Sequence, residues 1–253
     1  MCFLFVVVPS PPENVTVISK TSRVVNISWT PGFNGNSDIL NYTVEISTDN
    51  QAFAEARCSG LSSSGCVVSN SFTSASLVDL HPGKTYYIRV FANNKVGSSA
   101  VSSVITTTTD EEVPNVPPAN VTGNNVTSTS IFVKWDEVPA DNQNGIIVNY
   151  TVTYTEVPSG NPGTKIVIAP RRNATLARLK KYTNYSITVF ASTAKGGGSR
   201  SDPIIVITDA DIDLVLGIPI LVPAHRALHT TKSTNQEKPD LSNTRQGRER
   251  ELR

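Results

Sequence analysis

The chain has 253 residues, 38% of them hydrophobic and 17% charged, so it is neither a disordered polyampholyte nor a membrane bundle. Lys and Arg total 22 against 21 Asp and Glu, and a net charge of +1 leaves no cation excess for displacing counterions from nucleic acid. Three Cys, three His and no C-x-x-C pair leave little material for a metal centre.

Residues 1–8 contain an apolar run from Cys2 to Val8 that Pro9 ends. It is too short for a membrane span of about 20 residues, and no Lys or Arg precedes it as in a secretory leader. The segment reads as a leader remnant or a fragment edge. Pro11-Pro12-Glu13-Asn14-Val15-Thr16 then begins the first of two copies of one pattern; it recurs 106 residues later as Pro117-Pro118-Ala119-Asn120-Val121-Thr122. Val25, Ile27 and Trp29 recur as Ile131, Val133 and Trp135 at the same offset. Leu40, Tyr42, Val44 and Ile46 recur as Val148, Tyr150, Val152 and Tyr154, now at 108. Leu77, Leu80, Tyr86, Ile88, Val90 and Ala92 recur as Leu176, Leu179, Tyr185, Ile187, Val189 and Ala191, at 99. The drift places loop insertions between matched strands. The largest is nine extra residues in the first copy between Ile46 and Leu77.

Every matched segment alternates apolar and polar with period two, which puts one face in a core and the other in water. Thr30-Pro31-Gly32, His81-Pro82-Gly83 and Ser159-Gly160-Asn161-Pro162-Gly163 supply the turns. About seven short strands per hundred residues predict a β-sandwich for each copy. Between the copies, a Thr run leads through Asp110-Glu111-Glu112 into Pro114, Pro117 and Pro118, an extended spacer that holds the sandwiches end to end. In the second copy Ala194-Lys195-Gly196-Gly197-Gly198 reads as a hairpin tip, not a phosphate cradle. All 17 aromatic residues precede position 209, and residues 209–253 are expected to be a disordered tail. His225 and His229 lack a third metal ligand there, and Asp209, Asp211 and Asp213 lack the Gly and Glu of a calcium loop.

The charge balance is a cancellation: residues 9–112 carry a net −3, residues 113–208 a net +4, and the tail is neutral. Arg171, Arg172, Arg178, Lys180 and Lys181 fall within eleven residues, and neighbouring strands would gather them into a patch for a sulfated glycan such as heparan sulfate; scattered, solvated cations are the alternative. Cys58 and Cys66 have seven residues between them, two of them glycines, and are expected to form a disulfide that staples the insertion. The competing reading is two reduced thiols in an intracellular chain. Eight N-x-[ST] acceptors occur, at Asn14, Asn26, Asn41, Asn120, Asn125, Asn149, Asn173 and Asn184. Alternation inflates that number, because polar strand faces often read Asn-apolar-Thr. The same alternation turns Asn26, Asn41, Asn149 and Asn184 outward, so a glycosylated, extracellular chain is expected.

These residues resemble fibronectin type III domains. The likeness rests on the Pro-Pro lead-in, the Trp of the second strand, the Tyr of the third, and Leu80-x-Pro82-x-x-x-Tyr86-x-Ile88-x-Val90-x-Ala92. The second copy carries Leu179-x-Lys181-x-x-x-Tyr185-x-Ile187-x-Val189-x-Ala191, with Lys181 where the pattern has Pro. The resemblance covers 9–108 and 115–208, joined by a linker at 109–114. Through Leu179–Ile187 the second copy looks most like repeats of animal adhesion molecules and receptor-type tyrosine phosphatases. It implies an all-β fold of two tandem seven-stranded immunoglobulin-like sandwiches. Trp29, Tyr42, Tyr86, Trp135, Tyr150 and Tyr185 would be core residues, with Tyr86 and Tyr185 also standing as tyrosine corners. The implied function is an extracellular adhesion or protein-binding module, not an enzyme, without cofactor, metal or small-molecule substrate. Its partners would be extracellular or cell-surface proteins that contact strand faces and the loops Asn93–Ser99 and Ser192–Ser199. The alternatives are an ectodomain piece of a receptor phosphatase and a spacer in a secreted enzyme.

Overall fold

The computed structural model describes residues 5–60 and 65–210, and the backbone of two short strands beyond them. The first sandwich contains β1 (Glu13–Lys20), β2 (Val25–Thr30), β3 (Asn41–Ser47), β4 (Ala54–Glu55), β5 (Cys66–Ser69), β6 (Ser74–Leu77), β7 (Thr85–Asn93) and β8 (Ile105–Thr108). One sheet has the order β1-β2-β6; the other runs β4-β3-β7-β8, with β5 also on β3. All pairs are antiparallel. The alternation read from sequence is realised most fully in β7, where Tyr86, Ile88, Val90 and Ala92 are buried and their neighbours are not. These meet Val25, Ile27 and Trp29 of β2 and Leu77 of β6 in one core. The Trp29 and Tyr42 rings lie 5.3 Å apart at 59°.

The second sandwich repeats this plan with β9 (Thr122–Thr127), β10 (Ser130–Lys134), β11 (Asn149–Glu156), β12 (Gly163–Ile168), β13 (Asn173–Ala177), β14 (Asn184–Thr193), β15 (Gly196–Gly197) and β16 (Ile204–Ile207). Its sheets are β9-β10-β13 and β12-β11-β14, with β15 and β16 both on β14. Trp135 directly follows β10; its ring lies 5.5 Å from that of Tyr150. The predicted tip at Ala194 and Lys195 turns β14 into β15.

The insertion in the first sandwich has a definite architecture. In the second sandwich β12 is one continuous partner for β11. In the first, that edge is broken into β4 and β5, and both Ala56 and Cys66 stand opposite Val44. The chain between them crosses to the other sheet. The Val78 amide donates to the Arg57 carbonyl (2.9 Å) and the Ser59 amide to the Ser76 carbonyl (3.0 Å), so residues 57–59 pair with the free edge of β6. One side of the sandwich is thereby closed by the chain itself.

The linker is hydrogen-bonded on both sides. The Gly83 amide donates to the Asp110 carbonyl (3.0 Å), and Arg23 grips Glu112 with two bonds of 3.0 and 2.7 Å. On the other side the Glu112 amide donates to the Asn144 carbonyl (2.8 Å), the Thr193 hydroxyl to the Glu112 carbonyl (2.8 Å), and the Ile146 amide to a Glu111 carboxylate oxygen (2.9 Å). Pro114 is buried. A Cβ added at Gly83, whose φ is +63°, would sit 2.7 Å from the Gly145 Cα, so the two loops touch backbone to backbone.

The first sandwich seats its own lead-in in the same way. The Val7 amide donates to the Gly35 carbonyl (2.9 Å), and Asn94, the repeat equivalent of Thr193, donates to the Val7 carbonyl (2.7 Å). Residues 1–4 of the expected leader remnant lie outside the described residues, whereas Phe5–Val8 belong to this seat. The expected tail lies outside them from residue 211 on, except that Leu214–Val215 pairs antiparallel with Ile218–Pro219.

Candidate protein-contact surfaces

Each sandwich is tied together at its corners by side chains that leave its faces free for other uses. The Tyr86 hydroxyl accepts the His81 amide (2.8 Å), and the Tyr185 hydroxyl accepts the Lys180 amide (2.9 Å). Burial pushes the phenols of Tyr42 and Tyr150 above their ordinary pKa. Two residues without a sequence signature do as much. Thr109 and Thr208 are 2% and 1% exposed. The Thr109 hydroxyl accepts the Lys84 amide (3.0 Å) and donates to the His81 carbonyl (2.7 Å); Thr208 does the same for Thr183 and Lys180, at 3.0 and 2.7 Å.

The two predicted contact loops are not equivalent. In Asn93–Ser99 the Asn94 carboxamide oxygen accepts the amides of Val96 (2.8 Å) and Gly97 (3.2 Å), a rigid turn that presents exposed Lys95 and Val96. In Ser192–Ser199 much of the loop is taken up by the joint. Thr193 holds Glu112, and a Cβ at Gly198 would meet the Pro114 carbonyl oxygen at 2.3 Å. Only Ala194, Lys195, Gly197 and Ser199 remain exposed there.

The five cations of the second copy lie at the two ends of one strand. Arg171 and Arg172 precede β13, while Arg178, Lys180 and Lys181 follow it, and a five-residue strand spans roughly 17 Å. Arg172 lies 3.4 Å from Glu137, Lys180 lies 2.7 Å from Glu156, and Arg171 donates to the Asn173 side chain at 3.1 Å. The Glu156 hydrogen bond raises the Lys180 pKa. Two cation–π stacks on the outer faces of the larger sheets were not legible in the sequence. There the Arg89 guanidinium lies 4.0 Å over the Phe53 ring while bonding Glu45 at 2.6 Å, and the Arg200 guanidinium lies 4.6 Å over Phe190. Residues so far apart in sequence give no local signal.

Cys58 and Cys66 form a disulfide with Cα atoms 5.0 Å apart. It sits beside an open cavity of about 720 Å³ lined by Ile18, Ile27, Val68, Phe72 and serines of β1 and β6. None of the eight sequon asparagines is buried. Asn120 donates to Asp136 (2.7 Å), Asn26 to Ser19 (2.8 Å), Asn14 to Thr30 (3.5 Å) and Asn125 to Asp209, while Asn41 accepts from Asn93 (2.7 Å). Among the described residues no group of three or more His, Cys, Asp or Glu could hold a metal ion, and no helix is long and apolar enough to cross a membrane.

The fibronectin type III domain family matches residues 10–108 and 116–207. This chain belongs to the fibronectin type III family. The cell adhesion molecule DSCAM of Homo sapiens is 34% identical over 209 residues, 81% of this chain and 10% of that protein. Cell adhesion molecule DSCAML1 of Mus musculus is 32% identical over the same length. Receptor-type tyrosine-protein phosphatase F of Mus musculus is 31% identical over 229 residues, 87% of this chain and 12% of that protein. The chain therefore spans about a tenth of the length of these relatives. Among solved structures, the chicken CNTN1 FN1–FN3 domains share the fold with a TM-score of 0.63 at 22% identity, covering 80% of this chain and 67% of that one.

Proposed function

We propose that this fibronectin type III pair is a non-catalytic, extracellular protein-contact module of a cell-surface protein, working as a spacer and as a presenting surface. The observation that carries this is the similarity to cell adhesion molecules along 209 residues, spanning both modules and the joint. Two features of the molecule support it. None of the eight sequon asparagines is buried, and the paired cysteines suit an oxidising compartment. The partner is another extracellular or cell-surface protein, met by the sheet faces and by the Lys95 and Val96 turn. The basic residues flank β13, and heparan sulfate stands as an alternative partner that the heparin arm of the screen tests.

The test is a screen of the purified pair, as monomer and as clustered multimer, against cell-surface ectodomains and heparin. Saturable capture of at least one ectodomain, with elution from heparin at low salt, is expected. Failure of both presentations to bind any ectodomain would overturn the reading. The similarity to receptor-type tyrosine-protein phosphatase F, which covers 87% of the chain, favours a second reading: an ectodomain piece of such a phosphatase. A longer transcript that encodes a membrane span and a phosphatase domain would decide for it; one that encodes only further adhesion modules would decide against it.

A further inference from the structure

The two modules treat the same sheet edge differently. In the first, the strand edge beside β3 is broken, looped over to β6 and stapled by Cys58–Cys66. In the second, no backbone pairing among the described residues closes that side. β12 is a continuous six-residue end strand, and Ile166 and Ile168 are 64% and 70% exposed. An open, apolar strand edge is a template for pairing with another chain. The edge has one lysine to blunt it, Lys165, but its ammonium is turned away to the Thr175 carbonyl (2.8 Å).

The register shows what lies against these isoleucines. Asn149 is the partner of Ile168, and Thr151 is the partner of Ile166. The Ala169 amide donates to the Val148 carbonyl (3.2 Å), which makes Asn149 and Ile168 a non-hydrogen-bonded pair, the kind whose side chains stand closest. Tyr150 and Val152 point into the core, so Asn149 and Thr151 share the outer face with Ile166 and Ile168. Asn149-Tyr150-Thr151 is a glycosylation acceptor whose Asn and Thr both border the exposed isoleucines. The equivalent acceptor of the first module differs. Asn41 faces Ser69 and its carboxamide is held by Asn93 at 2.7 Å, whereas the Asn149 side chain has no hydrogen bond among the described residues.

We propose that an N-linked glycan on Asn149 lies against Ile166 and Ile168 and closes the open edge of β12, as the disulfide insertion closes the same edge of the first module. The first N-acetylglucosamine offers a C–H face that suits two branched aliphatic side chains, and its bulk blocks approach of a second strand. The inference rests on the extracellular reading above.

The full chain, expressed in animal cells with isotope-labelled N-acetylglucosamine, provides the test. Mass spectrometry is expected to find Asn149 occupied, and nuclear Overhauser contacts should link its first sugar to the methyls of Ile166 and Ile168. Asn149→Gln and Thr151→Ala each remove the glycan through a different residue. Both should raise the self-associated fraction several-fold in sedimentation velocity, and adding Ile166→Thr with Ile168→Thr should reverse the rise. The proposal falls if Asn149 is bare while other sequons are occupied, if the sugar makes no contact with the isoleucines, or if both glycan-free variants stay monomeric. An absence of glycan at every sequon would instead count against the extracellular reading itself.

Discussion

The indole rings of Trp29 and Trp135 pack on Tyr42 and Tyr150, and both ring nitrogens are buried without a hydrogen-bond acceptor among the described residues. Bulk, not polarity, is therefore what these positions use. Replacement by Ala should cost about 3–5 kcal/mol in urea unfolding. Replacement by Phe, which also removes the unpaired N–H, should cost clearly less; an equal cost would show that the nitrogen matters. Thr109 and Thr208 work by the opposite logic. Thr→Val keeps the shape but strands an amide and a carbonyl, so either change should destabilise its own module by about 1–3 kcal/mol. An unchanged urea midpoint would show that water replaces the hydroxyl. The tryptophans were legible in the sequence because they stand in an alternating pattern that occurs twice. Thr109 was not, because it ends a run of threonines that reads as linker, and its partners in the loop at residues 81–84 are brought to it only by folding.

At the scale of elements, the nine-residue insertion shows how a loop becomes architecture. Offset arithmetic located it between Ile46 and Leu77, and the spacing of Cys58 and Cys66 suggested the staple. That the loop leaves one sheet and pairs with β6 of the other depends on the register of β3, β5 and β6, which no local pattern encodes. Replacing both cysteines by serine should cost about 2.5 kcal/mol through loop-closure entropy. It should also speed hydrogen exchange at the Val78 and Ser59 amides more than at Ile88. Equal acceleration everywhere would mean that the disulfide acts only on the unfolded chain. The basic cluster illustrates the converse. Eleven residues that look compact in sequence are stretched along β13, so proximity in the chain becomes separation in space.

At the scale of the whole molecule, the joint decides what the pair can do. Arg23 holds the Glu112 carboxyl below the usual carboxylate range, chiefly by their hydrogen bond, and Glu112 in turn raises the Arg23 pKa. Because the folded pKa of Glu112 is depressed, this bond contributes fully above the ordinary carboxylate pKa of about 4.3 and is lost as pH falls through the lower folded value. Residual dipolar couplings across that range should show the two modules becoming independent in acid. Glu112→Gln should remove the acid step, and an acid step that persists would assign it to another group. Gly83→Ala should loosen the joint at neutral pH, since its methyl would press on the backbone of Gly145 and Asn144; unaltered couplings would refute the backbone contact. A joint bonded on both sides would set the spacing between sheet faces, which is what the proposed presenting role requires.

The sequence by itself determined the number of modules, their all-β character, the core aromatics and the place of the insertion. Each of these follows from period-two alternation repeated at measurable offsets, which is local information seen twice. Only the tertiary structure decided which edge is closed, how the cations are dispersed, which contact loop is taken up by the linker, and which side chain stands beside which acceptor asparagine. Those are cross-strand and inter-module neighbours. They depend on register and loop length acting together, and alternation is blind to both.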